Sequence, residues 1–124
     1  MTYLDTHVVV WLYGGEVAQL SKAARDQIDK DDVLVSPAVV LELEYLNEIG
    51  RLGPSALSVM AALRNDIGLK VCELPFFTVV EQALAEKWVR DPFDRLIVAQ
   101  AKANQAPLIT KDETIRQHYR RSVW

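Results

Sequence analysis

Asp5, Glu42, Asp94 and Asp112 are the residues of this sequence whose types and placement can carry chemistry. Asp5 directly follows a short apolar β-type run, Thr2–Leu4, and Asp112 comes just after another, Leu108–Ile109. Glu42 and Asp94 fall in early turns of helical stretches with a buried-looking pattern. Acids gathered on one rim of a sheet repel one another, so the cluster implies a cation. Carboxylate oxygens suit hard ions such as Mg²⁺ or Mn²⁺. One or two such ions with open water positions can orient a water and offset charge on a phosphodiester during in-line attack. No Ser/His/Asp triad, phosphate-cradling glycine-rich loop or CxxC pair competes for this role.

Helical phase singles out Glu42 from its neighbours. With residues 37–49 on a helix at ~100° per residue and Ala38 as zero, Leu41 falls at about 300°, Tyr45 at about 340°, Ile49 at about 20° and Leu46 at about 80°. Glu42 falls at about 40°, within that apolar stripe, whereas Glu44 and Glu48 fall at about 240° and 280° on the outer flank. A carboxylate on a core-facing stripe must be paired with a buried Arg or Lys, or must bind a metal. Asp94 lies in the first turn of its helix beside Val98 and Ala101, with Arg95 and Lys102 on the solvent face. Its alternative role there is to stabilise the helix N-terminus. Asp91, immediately before Pro92, reads as a helix cap. Asp5 can bond its own backbone at a turn, and Asp112 can cap the last helix.

The elements that position these acids alternate. Strands are expected at Thr2–Leu4, Val33–Val35, Leu69–Cys72, Leu108–Ile109 and Ser122–Trp124, and helices near 7–13, 21–30, 37–49, 54–66, 76–89, 92–105 and 113–119. Ser21, Ser36-Pro37 and Asp91-Pro92 mark helix starts, and Gly50 marks a helix end. Alternating strands and helices predict an α/β domain with a largely parallel sheet, whose ligand sites lie beyond the carboxyl ends of the strands.

Composition narrows the setting. The 124 residues suit one domain, 1–124, and 50% hydrophobic with 25% charged residues is ordinary globular usage, which excludes disorder. Cys72 is the single cysteine, so neither an internal disulfide nor a Cys-based zinc site can form. His7 and His118 have no metal-ligand spacing, and His7 is read as structural. No apolar run approaches the ~20 residues of a membrane span, and the start has no basic leader, so a reducing, cytoplasmic location is expected. The net charge of −3 argues against a general nucleic-acid binder, but Lys111, Arg116, Arg120 and Arg121 concentrate positive charge near the C-terminal end. Those four can contact phosphate, or can simply form a solvated face.

Taken in order, four segments resemble the PIN-domain family. They are Leu4-Asp5-Thr6-His7 with Trp11; Val35-Ser36 leading to Glu42-Leu43; Asp91-Pro92-Phe93-Asp94-Arg95-Leu96-Ile97-Val98-Ala99-Gln100-Ala101; and Leu108-Ile109-Thr110-Lys111-Asp112. The nearest relatives by this pattern are the VapC-type toxins of bacterial and archaeal toxin–antitoxin pairs, and the stretch 91–101 is its most specific part. The resemblance implies a three-layer α/β/α sandwich with a central, mostly parallel sheet. It also implies Mg²⁺- or Mn²⁺-dependent cleavage of RNA. Position by position, Asp5, Glu42, Asp94 and Asp112 match the four acids of the PIN site, Thr6 and Thr110 match supporting polar residues, and Asp91 lies beside the site. A homodimer is implied, together with a cognate antitoxin that inserts a peptide, often bearing an Arg, into the acidic groove. Between Gly53 and Asp66 the only basic residue is Arg64, so phosphate binding falls to the 111–121 cluster together with Arg51 and Lys102.

Trp11, Tyr45, Trp88, Phe93 and Trp124 are read mostly as core or interface residues, with stacking on RNA bases as the lesser alternative. The amphipathic stretch Pro54–Leu63 packs on the core or forms a dimer or antitoxin face. Two other functions fit parts of the pattern. A phosphoryl-accepting receiver-like domain also carries acids at strand ends, but needs paired acids near its first strand, where Asp5 stands alone. A PIN-like interaction module without catalysis would act only through partners.

Overall fold

The computed structural model describes residues 1–124, and its five short strands are all parallel. They are β1 (Thr2–Leu4), β2 (Val33–Val35), β3 (Lys70–Val71), β4 (Leu108–Ile109) and β5 (Ser122–Val123), in the order β3-β2-β1-β4-β5. Seven helices cover the sheet: α1 (Thr6–Tyr13), α2 (Lys22–Lys30), α3 (Pro37–Glu48), α4 (Ala56–Ile67), α5 (Phe76–Leu84), α6 (Pro92–Ala103) and α7 (Glu113–His118). β1 is wholly buried at the centre, with Tyr3 opposite Leu34 on one side and Leu108 on the other. The chain leaves β1 first toward β2 and later returns on the opposite side to β4. That reversal opens a crevice beyond the carboxyl ends of β1 and β4, where open α/β sheets place their ligands.

Local signals explain where the helices begin. Asp5, Ser21, Ser36, Ser55, Asp91 and Asp112 each accept a backbone N–H in the first turn of α1, α2, α3, α4, α6 and α7 respectively. Proline follows at the first helical position of α3 and α6, where its missing N–H costs nothing. Gly68, at φ 71°, ends α4 in the left-handed conformation that only glycine adopts without penalty.

Three expectations are corrected, and one short element is new. The 3-10 turn Val17–Gln19 carries no periodic signal and was not anticipated. The strand expected over 69–72 pairs only at Lys70–Val71, an exposed edge, while Leu69 and Cys72 turn inward. The helix expected to reach 89 stops at Leu84. There Arg95 takes the carbonyls of Ala83 (2.8 Å) and Leu84 (3.4 Å), and Glu86 turns inward to Lys102, Trp88 and Gln82. The buried face of α3 is rotated from the expected stripe: Leu41, Tyr45 and Ile49 are exposed, Ala38 and the half-buried Leu46 keep their contact with the core, and Val39 and Leu43 are buried beside them. Glu42 therefore borders the core rather than lying within it.

Candidate active site

The crevice is a cavity of about 400 Å³ lined by Asp5, His7, Val8, Trp11, Glu42, Asp91, Asp94, Lys111 and Asp112. All four acids singled out in the sequence are there, with Asp91 beside them. Each arrives on a different element. Asp5 ends β1 and caps α1, its Oδ1 accepting the Thr6 N–H at 2.8 Å. Glu42 comes from the second turn of α3, Asp91 and Asp94 from the start of α6, and Asp112 from the start of α7.

Two threonines link these acids from behind. The Thr110 hydroxyl donates to Asp5 Oδ2 at 2.6 Å and accepts the Asp112 N–H at 3.1 Å. The Thr6 hydroxyl donates to Glu42 Oε1. Both threonines are fully buried, so the carboxylates they hold are fixed by groups that water does not compete for. Asp91 and Asp112 serve two purposes, since each caps its helix, through Asp94 N–H at 3.0 Å and Ile115 N–H at 2.9 Å, and each also lines the cavity.

The electrostatics are those of crowded carboxylates. Burial raises the Asp5 pKa against the hydrogen bonds from Thr110 and Thr6. Burial likewise raises that of Glu42, with Asp5 and Asp91 adding repulsion and the Thr6 hydroxyl opposing it. Asp94 is pushed up to about 7, by burial first and then by Asp5, Asp91, Glu42 and Asp112, with no donor to offset them. The molecule has three ion pairs and none includes a cavity acid. A buried Arg or Lys partner for Glu42, the alternative to metal binding, is therefore absent. The acids line the walls rather than converge, and no three of them close on a common point at ion-binding spacing. The carboxylate oxygens of these acids suit a hard divalent cation such as Mg²⁺ or Mn²⁺.

The basic residues divide. Lys111 lines the cavity, its Nζ 5.9 Å above the Trp11 ring. Arg116 and Arg120 line a separate depression, and Arg121, though exposed, lines neither. Lys102 is corrected: it pairs at 2.7 Å with the buried Glu86 and does not face the groove. Arg95 likewise spends its guanidinium on the end of α5 instead of facing solvent alone. Arg51, just past α3, lines neither depression. His7 and Trp11 were missed as site residues. They lie one turn apart on α1, and that helix starts at Asp5, which is the signal that places its first turns on the rim.

Residues 2–121 match the model of the PIN domain. The chain belongs to the PIN-domain family. The chain is also 35% identical over 118 residues to Ribonuclease VapC22 of Mycobacterium tuberculosis, a match covering 93% of this chain and 89% of that protein. Two solved structures have the same fold. One is a toxin–antitoxin complex from Klebsiella pneumoniae (TM-score 0.68, 14% identity, 100% of this chain and 97% of that one). The other is VapBC2 from Rickettsia felis bound to a DNA fragment from their promoter (TM-score 0.65, 17% identity, 94% and 92%). The acidic cavity of this PIN domain sits at the switch point of its sheet, and no helix is long and apolar enough to cross a membrane.

Proposed function

We propose that this PIN domain is a metal-dependent endoribonuclease, the toxin of a VapBC-type toxin–antitoxin pair, acting as a single domain over residues 1–124. The observation that carries the reading is the cavity itself: five carboxylates from four separate parts of the fold, with no basic residue in ion-pair contact. The similarity to a protein named a ribonuclease, over 93% of the chain, supports the substrate class.

Asp5, Glu42, Asp94 and Asp112 are the proposed ligands of Mg²⁺ or Mn²⁺, with Asp91 at the edge. Such an ion, when bound, supplies a site for orienting water and offsets negative charge on the phosphodiester. The protein's own part is positional. Thr110 fixes one oxygen of Asp5 and the backbone of Asp112 together, and Thr6 fixes Glu42, so the acids from β1, α3 and α7 keep a constant spacing. Lys111, which lines the cavity, is the proposed contact for a phosphate.

The proposed protein partners are a cognate antitoxin and a second copy of the chain, in the reducing cytoplasm that a lone buried cysteine suits. Exposed apolar residues Leu41 and Tyr45 on α3 and Phe76 on α5 are the surface proposed for these contacts; Leu41 and Phe76 line one apolar depression with Pro92 and Phe93. The test is cleavage of single-stranded RNA by antitoxin-free protein. Activity that requires Mg²⁺ or Mn²⁺ and stops with a chelator supports the reading; cleavage indifferent to chelation contradicts it.

A further inference from the structure

We propose that a strip of surface from the acidic cavity across Trp11 and Trp124 to Arg116 and Arg120 binds the single-stranded RNA flanking the cleaved phosphate. This rests on the nuclease reading above and deepens it. Lys111 and Trp11 form one wall of the acidic cavity. The rings of Trp11 and Trp124 meet at 5.9 Å, tilted by 50°. Trp124 in turn lines an open depression of about 520 Å³ with Glu113, Arg116, Gln117, Arg120 and Ser122. The two depressions thus share a divide made of two half-buried indoles.

The chemistry along this strip is ordered. A cavity of five carboxylates repels every phosphate except one held through a cation, and the net charge of −3 gives the molecule no general attraction for RNA. Affinity must come from positive charge close by. Arg116 and Arg120 are exposed, enter none of the molecule's ion pairs and face one acid, Glu113. Lys111 lies on the wall of the site itself, beside Trp11. Indole faces between cationic side chains are the arrangement that grips single strands, since unpaired bases stack while phosphates are neutralised. A duplex offers no such bases. Trp11 and Trp124, read from sequence as core or interface residues, are only partly buried against the core, and Lys111 Nζ lies 5.9 Å over the Trp11 ring.

The test uses full-length protein carrying Asp94→Asn, to suppress cleavage, and a fluorescein-labelled oligouridylate in Mg²⁺, with binding read by anisotropy over a salt series. Arg116→Ala with Arg120→Ala should weaken binding and reduce the slope of log affinity against log salt by about 1.4, at ~0.7 per phosphate on single strands. Trp11→Leu should weaken binding roughly tenfold and Trp11→Phe should restore most of it, because the stacking face returns. Since Trp11 also packs on the core, the exposed arginine pair decides the matter if Trp11→Leu does not fold. Wild-type affinity and salt slope in the arginine variant overturn the strip. If those losses occur but protein with Asp94 intact never cleaves RNA in Mg²⁺ or Mn²⁺, the strip stands and the nuclease reading fails. If cleavage is normal and binding is unaltered, only the strip fails.

Discussion

At Asp94, burial and surrounding carboxylates lift the pKa from 3.8 to about 7, and this has a measurable consequence in metal-free protein. Between those values the folded state holds a proton that the unfolded chain has released, so stability falls as pH rises through that window. Asp5 and Glu42 are raised too and act in the same direction. In chelator at pH 8, Asp94→Asn should therefore be more stable than wild type, by about 1–2 kcal/mol after allowance for solvent screening. The gap should close toward pH 5; thermal melts showing a gap independent of pH would contradict the repulsion. Thr110→Val tests the link between two acids. It keeps the shape but leaves Asp5 Oδ2 and the Asp112 N–H without their partner, at a cost of about 1–3 kcal/mol by denaturant titration, and cleavage should fall with it. Asp5 and Asp112 were legible from their places after short strands, and Asp94 from the first turn of its helix. Glu42 was reached through a stripe of which Leu41, Tyr45 and Ile49 are exposed, because periodicity shows that a face is apolar and not whether the core or a partner covers it.

At the scale of elements, helix starts were legible and one helix end was not. Ser21, Ser36, Asp91 and Asp112 act within three residues of themselves, so sequence alone locates them. The stop of α5 at Leu84 depends on Arg95, eleven residues on, and the turn after it on Lys102 reaching Glu86. Burial opposes ionisation of Glu86, yet Lys102, Trp88 and Gln82 together hold its pKa below the usual value. No local pattern announces such partners. Arg95→Ala should expose the last carbonyls of α5 and loosen its packing on α6, costing about 1–2 kcal/mol in chemical denaturation. Since α6 carries Asp91 and Asp94, hydrogen exchange should quicken at both the end of α5 and the start of α6. Loss confined to α5 would show that the two helices are not coupled through this residue.

For the whole molecule, the sheet order β3-β2-β1-β4-β5 does what no single segment can: it brings residues 5, 42, 94 and 112 to one crevice. Strand alternation predicted a parallel sheet, but strand order and the resulting switch point between β1 and β4 emerge only from packing. A cation that binds the folded cluster alone must stabilise the fold by mass action. Millimolar Mg²⁺ should accordingly raise the melting temperature of wild type, by about 1.4 kcal/mol of stability for each tenfold excess over the dissociation constant, and should do so less for Asp5→Asn. The central claim concerns chemistry, and the most direct measurement is the single-turnover rate of RNA cleavage by antitoxin-free wild type and Asp5→Asn in Mg²⁺. The predicted result is cleavage by wild type and a loss of at least roughly a hundredfold in the variant, the scale on which removing one electrostatic stabiliser acts. A folded Asp5→Asn protein that cleaves at the wild-type rate would contradict the account.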